Sequence, residues 1–192
     1  MNLERGRFMK INVYSCVSPG YDNLMSDRDY VMPSDLFATD RMNAKLPKVL
    51  AHKYFGSADY TIWADSNLVF KIDPRSLVEF FDFPLVGVFA HNKRSTVDQE
   101  INACREKQLD SDFRLNYHAG KPGRLACCFL LIRRNCDSVN ALNESWWSEI
   151  CAGSSRDQLS FPYTLGKVAT YRELPDNSYS ENAMWARKPH LR

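Results

Sequence analysis

An α/β fold is predicted by this sequence: one domain built on a mixed, mostly parallel sheet flanked by helices. Three observations predict it. Strand-like and helix-like segments alternate along the chain, the first strand runs directly into a Pro-Gly turn, and one uninterrupted apolar run reads as a central strand covered on both faces. A length of 192 residues with 44% hydrophobic content suffices for one full core without metals or disulfides.

The elements follow in order. Lys10 to Val17 reads as the first strand, entering the turn Ser18-Pro19-Gly20-Tyr21-Asp22-Asn23. Asp35 to Thr39 reads as a second short strand ending at Asp40, and Lys48 to Phe55 as a helix, with Val49, Leu50 and Tyr54 apolar at helical spacing. Tyr60 to Ala64 is the third strand, stopping at Asp65; Leu68 to Phe70 resumes extended character. Asp73 caps a helix that has Pro74 at its first position and continues to Phe81. Val86 to Ala90 is a strand ending at His91, and Val97 to Lys107 an amphipathic helix with Val97, Ile101 and Cys104 on one face. The run Leu125 to Ile132, bounded by Arg133-Arg134, is the expected centre of the sheet. Ser138 to Cys151 and Asp157 to Leu165 read as helices separated by a Gly-Ser break, the second despite Pro162, and Val168 to Tyr171 as a last strand. Residues 1–9 and 175–192 lack a period and are expected to be flexible or lid-like.

Composition excludes some functions. Lys and Arg number 25 against 23 Asp and Glu, a formal charge of +2, and the basic residues are scattered, so neither nucleic acid nor an anionic membrane surface is implied as partner. No segment has the apolar length of a membrane span or a signal sequence. The six cysteines show no C-x-x-C pair and no framework spacing. Reduced, mostly buried thiols are expected, and with them a cytoplasmic location, in the cell itself or in an infected host cell.

Asp65 stands where an apolar strand meets a loop, and open α/β sheets bind ligands at the carboxyl ends of their strands. Asp65-Ser66-Asn67 offers two oxygen ligands two residues apart, which suits a hard divalent ion against a pyrophosphate; the same three residue types also make an ordinary turn. Asp157 opens a helix just after a Gly-Ser break. It is either an acceptor-side carboxylate or one favoured at a helix N-terminus by the dipole.

The run Tyr60 to Phe70 resembles the DxD region of GT-A glycosyltransferases. With Tyr21-Asp22, Lys48 to Phe55, His91-Asn-Lys-Arg94, Glu100 and Arg156-Asp-Gln-Leu-Ser-Phe161 in the same order, the chain is similar to a family of small glycosyltransferase-like domains from plants, bacteria and large algal viruses. The resemblance spans roughly residues 10 to 166. It implies a GT-A-like, Rossmann-like fold and transfer of a hexose or deoxyhexose from a nucleoside diphosphate carrier, UDP first, to a glycan or glycoprotein. The alternatives are a sugar nucleotidyltransferase, which normally opens with a Gly-rich loop that Ser18 to Asp22 lacks, and a non-catalytic glycan-binding relative.

By position, the resemblance puts Asp65 on the metal or donor ribose, and Asn67 where the second DxD aspartate usually stands. His190, in Arg187-Lys-Pro-His190, is similar to a late histidine of the metal shell. The implied cofactor is a divalent metal, Mn2+ or Mg2+, bound weakly because Asn67 is neutral. Ser18, Tyr21, Asp22 and Asp40 are implied nucleotide contacts, and Arg41, Lys48 and Arg94 phosphate contacts. His91, Gln158 and Trp185 fall on the acceptor side. Asp157 would serve as general base if the anomeric centre inverts, and otherwise only position donor or acceptor.

Overall fold

The computed structural model describes residues 8–17, 22, 24–31, 33–168, 170–174 and 181–190. Its sheet has six strands: β1 (Ile11–Cys16), β2 (Asp29–Val31), β3 (Tyr60–Ala64), β5 (Val86–Ala90), β6 (Ala126–Arg134) and β7 (Arg172–Leu174). Their order is β2-β1-β3-β6-β5-β7. The pairs β1/β2, β1/β3 and β5/β7 are parallel, while β6 runs antiparallel to both neighbours, β3 and β5. This is the mixed, mostly parallel sheet expected. A separate two-stranded ribbon joins β4 (Leu68–Phe70) to β8 (Trp185–Arg187).

Period-two alternation, interrupted once in β6 where its register with β5 shifts, explains why both faces of the sheet are covered. Tyr14, Trp63, Cys128 and Leu131 point to one side, packing against helices α1 (Asp40–Val49), α6 (Asp137–Ala152) and α7 (Asp157–Leu165) through Met42, Val49, Trp146, Ile150 and Phe161. Val13, Ile62, Phe89 and Phe129 point to the other, against Leu77 and Val78 of α3 (Leu77–Phe80) and Trp185 of β8. Two short helices, α2 (Ala51–Tyr54) and α5 (Asp112–Asn116), and the longer α4 (Val97–Glu106) complete the set. In α4, Thr96 and Gln99 form a capping box, and Val97, Ile101 and Cys104 are buried together as their spacing requires.

Four local expectations change. Residues 35–39 are not a strand: Thr39 accepts from the Met42 N–H to cap α1, and the Asn43 side chain binds both the N–H and the carbonyl of Phe37. The second strand is instead Asp29–Val31. The expected helix at Lys48 starts eight residues earlier, at Asp40, and survives Pro47 because the Asn43 carbonyl, which would otherwise meet the missing N–H, accepts from the Ser34 N–H at 3.3 Å. The last strand of the main sheet begins at Arg172 rather than Val168, and the tail contributes β8.

The central strand also outruns its apolar stretch. Arg133 continues β6 with only 1% of its surface exposed, donating to the carbonyls of Lys48 and Val49, the Tyr14 hydroxyl and the Asn143 side-chain oxygen. A cation at the C-terminal end of α1 is favoured by the helix dipole, and here it fixes where α1 ends.

Gly123 sets the entry to β6. Its φ is +118°, and a Cβ there would lie 2.7 Å from the backbone of Pro162 in α7. Gly123→Ala therefore combines left-handed strain with a clash against helix backbone, and is expected to lower unfolding stability in urea by about 2–4 kcal/mol. A loss under about 0.5 kcal/mol, the ordinary surface value, would show that this approach does not constrain the fold.

Candidate active site

Strand order reverses between β1 and β3: the chain leaves β1 toward β2 on one side and returns to β3 on the other. A crevice at the carboxyl ends of such neighbours is where open α/β sheets hold ligands. Asp65 stands at this point. Its backbone N–H donates to the Phe129 carbonyl, its carbonyl accepts from the Leu68 N–H, and a turn over Ser66 and Asn67 results. Arg28, whose side chain is fully buried, locks that turn by donating to the Asp65 and Leu68 carbonyls while its guanidinium lies over the Phe70 ring.

The Asp65 carboxylate accepts from the Trp63 indole N–H at 3.0 Å; Trp63 is two residues back and therefore on the same strand face. Lys48 Nζ is 3.4 Å from the same oxygen and 2.7 Å from Asp157 Oδ2. Lys45, one turn earlier on α1, also reaches Asp157 Oδ2 at 2.7 Å, and Arg187 of β8 comes within 3.9 Å of Asp65 Oδ2. The five side chains form a row of alternating charge, Lys45–Asp157–Lys48–Asp65–Arg187. Burial alone would raise the Asp157 carboxyl, but the Lys45 and Lys48 ammonium groups outweigh it and hold the carboxyl far below the usual carboxylate range. Burial likewise opposes the charge on Lys48, yet Asp157 and Asp65 raise its pKa above the ordinary lysine value. For Lys45 burial prevails and the pKa is lowered.

The strap from Glu181 to His190 closes one side. Asn67 and Lys188 exchange two hydrogen bonds, Asn67 Nδ2 to the Lys188 carbonyl at 2.8 Å and Lys188 N to the Asn67 carbonyl at 2.9 Å. Asp22 Oδ2 accepts from Ser66 Oγ and lies 2.8 Å from His190 Nδ1. Asp65, Asn67 and His190 are the residues expected to hold a divalent ion. As arranged they do not fit one: the Asp65 carboxylate already faces an ammonium and a guanidinium, which would repel a cation, and His190 is turned onto Asp22. The Asn67 Oδ1 atom is buried with no hydrogen-bond partner among the described residues, one oxygen where such an ion takes six or more ligands. No group of three His, Cys, Asp or Glu arranged for a metal occurs among the described residues.

The remaining expected site residues are more dispersed. Ser18 and Tyr21 lie outside the described residues. Asp40 is exposed in the first turn of α1, and Arg41 donates to the Leu109 carbonyl. His91 and Arg94 stand together beyond β5, and Gln158 accepts from Arg156. Trp185 is fully buried, 4.8 Å from the Phe89 ring centroid, and offers no face to a sugar. Lys45, Arg187, Arg28 and Arg133 were not singled out from the sequence. For Lys45 a usable signal exists, its three-residue spacing from Lys48, once the helix is known to begin at Asp40.

The sequence profile of the TOD1/MUCI70 glycosyltransferase-like domain matches residues 28–184. The probable hexosyltransferase MUCI70 of Arabidopsis thaliana is 28% identical over 154 residues, covering 69% of this chain and 26% of the plant protein. The chain thus spans about a quarter of the length of that curated relative. Among solved structures, a glycosyltransferase involved in the glycosylation of the major capsid of PBCV-1 superposes with a TM-score of 0.50 at 10% identity, covering 93% of this chain and 92% of that one. Mouse xyloside xylosyltransferase 1 in its apo form aligns over 69% of this chain and 51% of its own, with a TM-score of 0.39 and 13% identity. At 10% identity the viral enzyme shows a shared fold, and fold alone does not specify a reaction.

Proposed function

The chain belongs to the TOD1/MUCI70 glycosyltransferase-like family, and from that premise we propose that it transfers a hexose from a nucleoside diphosphate carrier, with uridine as the base, to a glycan. The observation that supports this reading is the charge row at the carboxyl ends of β1 and β3. Asp65 is fixed by Trp63 and held more loosely by Lys48 and Arg187, which leaves its outer oxygen to accept from a ribose hydroxyl of the donor. Lys48 and Arg187 supply positive charge where the diphosphate leaves, and cations aimed at a developing negative charge lower the barrier most when they are fixed in advance.

Asp157 takes the positioning part in this reading. A carboxyl kept ionised by two ammonium groups is a poor proton acceptor, but it holds Lys48 at the donor and Lys45 beside it. No step is assigned to a metal ion.

Isothermal titration with UDP tests the reading. Wild type is expected to bind UDP with affinities within about tenfold in EDTA and in manganese, and Asp65→Ala to weaken binding by about 10- to 100-fold through loss of a charge-assisted hydrogen bond. Slow release of glucose from UDP-glucose, without pyrophosphate release from UTP, should accompany binding. Absence of UDP binding in both conditions would sink the uridine reading, and binding only with manganese would return Asp65 to a metal.

A further inference from the structure

The end of the sheet opposite Asp65 carries a cleft that the donor reading does not use. Its volume is about 600 Å³, within the ordinary range of small-ligand sites, and it opens where β5 and β7 begin and β6 ends. Phe83 and Tyr171 line it, 49% and 41% exposed, together with Asp82, Arg134 and Arg172. Arg172 Nη2 donates to Asp82 Oδ2 at 2.8 Å, and the Arg134 backbone N–H donates to the Leu85 carbonyl at 2.9 Å, which fixes the strand end that carries its guanidinium. Arg134 also pairs in register with Tyr60, the first residue of β3, so the cleft stands a strand's length, roughly 17 Å, from Asp65.

The wall formed by Asp82 and Phe83 is strained. Their φ angles are +56° and +49°, left-handed values that residues with a Cβ adopt only at a conformational cost. Helix termination accounts for the first. The Asp82 N–H donates to the Glu79 carbonyl and the Phe83 N–H to the Val78 carbonyl, the pair of bonds that closes a helix through one left-handed residue. It does not account for the second. In such a cap the next residue commonly folds an apolar side chain back onto the last turn, whereas Phe83 stays half exposed at the cleft. Pro84 disfavours right-handed helical backbone at Phe83 but leaves extended backbone open to it. A half-exposed aromatic residue on left-handed backbone is a local cost that packing does not offset, and such costs gather at ligand sites.

The chemistry of the lining fits an uncharged sugar. A pyranose presents an apolar C–H face and a rim of hydroxyls that both donate and accept. Phe83 and Tyr171 supply exposed aromatic surface for the face, and the Asp82–Arg172 pair supplies an acceptor and planar donors side by side for neighbouring hydroxyls. Because Asp82 neutralises Arg172, one net positive charge remains among these residues, and an anion entering the cleft would meet the Asp82 carboxylate as well. We propose that this cleft is a non-catalytic binding site for a neutral hexose unit of a glycan, which tethers the glycan to the protein away from the charge row at Asp65. On the transferase reading, two contacts with one polymer raise its local concentration at the second, so the cleft favours long glycans over short ones. Binding in the cleft itself needs no transfer chemistry.

Calorimetric titration of the whole chain with maltotetraose, cellotetraose and mannotetraose, each with and without saturating UDP, tests the proposal. At least one of the three is expected to bind with a Kd of about 0.1–1 mM, unchanged by UDP because the two sites stand at opposite ends of the strands. Phe83→Ala is expected to weaken that binding by about tenfold or more, and Phe83→Tyr, which keeps the ring, to hold it within about threefold. Both should leave UDP affinity unchanged. Tyr171→Ala, a second aromatic removed from the lining, gives a comparable loss and serves as the test should Phe83→Ala fail to fold. Absence of binding by all three tetrasaccharides, or binding that survives removal of these rings, would overturn the proposal. So would pyrophosphate that displaces the sugar and no longer binds in Arg134→Gln, the cleft then being an anion site. UDP binding without tetrasaccharide binding would overturn this proposal and leave the transferase reading standing; tetrasaccharide binding without UDP binding would uphold it and overturn the transferase reading in its uridine form.

Discussion

Lys48→Met is expected to lower unfolding stability by about 3–5 kcal/mol and to abolish UDP binding in the molecules that stay folded. The side chain is 3% exposed and stands between two carboxylates, Asp157 at 2.7 Å and Asp65 at 3.4 Å, with the Trp63 ring 5.1 Å from its nitrogen. Methionine fills much the same volume, so the loss reports charge rather than a cavity. Asp157, itself 6% exposed, keeps Lys45 and the Gln158 backbone N–H, and Asp65 keeps the Trp63 N–H and the more distant Arg187. Urea unfolding of four proteins, wild type, Lys48→Met, Asp157→Leu and the double variant, measures the effect. Because the two side chains touch, the double variant should be more stable than the sum of the single losses predicts, by about 1–3 kcal/mol. Strict additivity would show that the contact is not an energetic one.

How far this site could be read from the sequence depends on which residues are close along the chain. Asp65 was legible because the strand before it, Tyr60 to Ala64, is a run of aromatic, β-branched and apolar residues and the residues after it are turn-formers, so strand end and site coincide locally. Helix α7, with Asp157 at its start, was legible for the same reason. What joins them was not. Lys48 meets both carboxylates only after α1 packs against the sheet, and the start of α1 is obscured by Pro47, whose cost is offset by a bond from Ser34 that no periodicity reveals. Arg187 reaches Asp65 only because β8 pairs with β4 across more than a hundred residues, and a three-residue strand has too short a pattern to detect. Arg133 shows the opposite failure. An Arg-Arg pair reads as the polar end of a strand, yet the first arginine is buried, since four acceptors from β1, α1 and α6 converge on it. The metal expectation came from the two-residue spacing of Asp65 and Asn67 and from the resemblance to a DxD region, and neither reveals the ammonium and guanidinium that the fold gathers around Asp65.

Asp157→Asn separates a positioning carboxylate from a catalytic base. The substitution leaves Lys45 and Lys48 without their shared partner, so at neutral pH stability should fall by about 3–5 kcal/mol, and UDP affinity should fall with it because Lys48 is released from the donor site. The pH dependence follows from the sign of the shift. The folded-state pKa of Asp157 is depressed, so the stability it contributes is fully present above the unfolded carboxyl value, about 3.9, and is lost only as pH falls from there toward the lower folded value. Lys48 is shifted upward, so its contribution is full below the unfolded lysine value, about 10.4, and declines only at higher pH. The gap between wild type and Asp157→Asn should therefore be flat from about pH 7 down to about pH 5 and close in acid below about pH 4, when followed by urea unfolding across that range. A gap already narrowing between pH 7 and pH 5 would mean that the two lysines do not hold the carboxyl ionised. If Asp157 were instead the general base, Asp157→Asn would keep UDP affinity and lose turnover, whereas a positioning carboxylate predicts that stability and UDP affinity decline together.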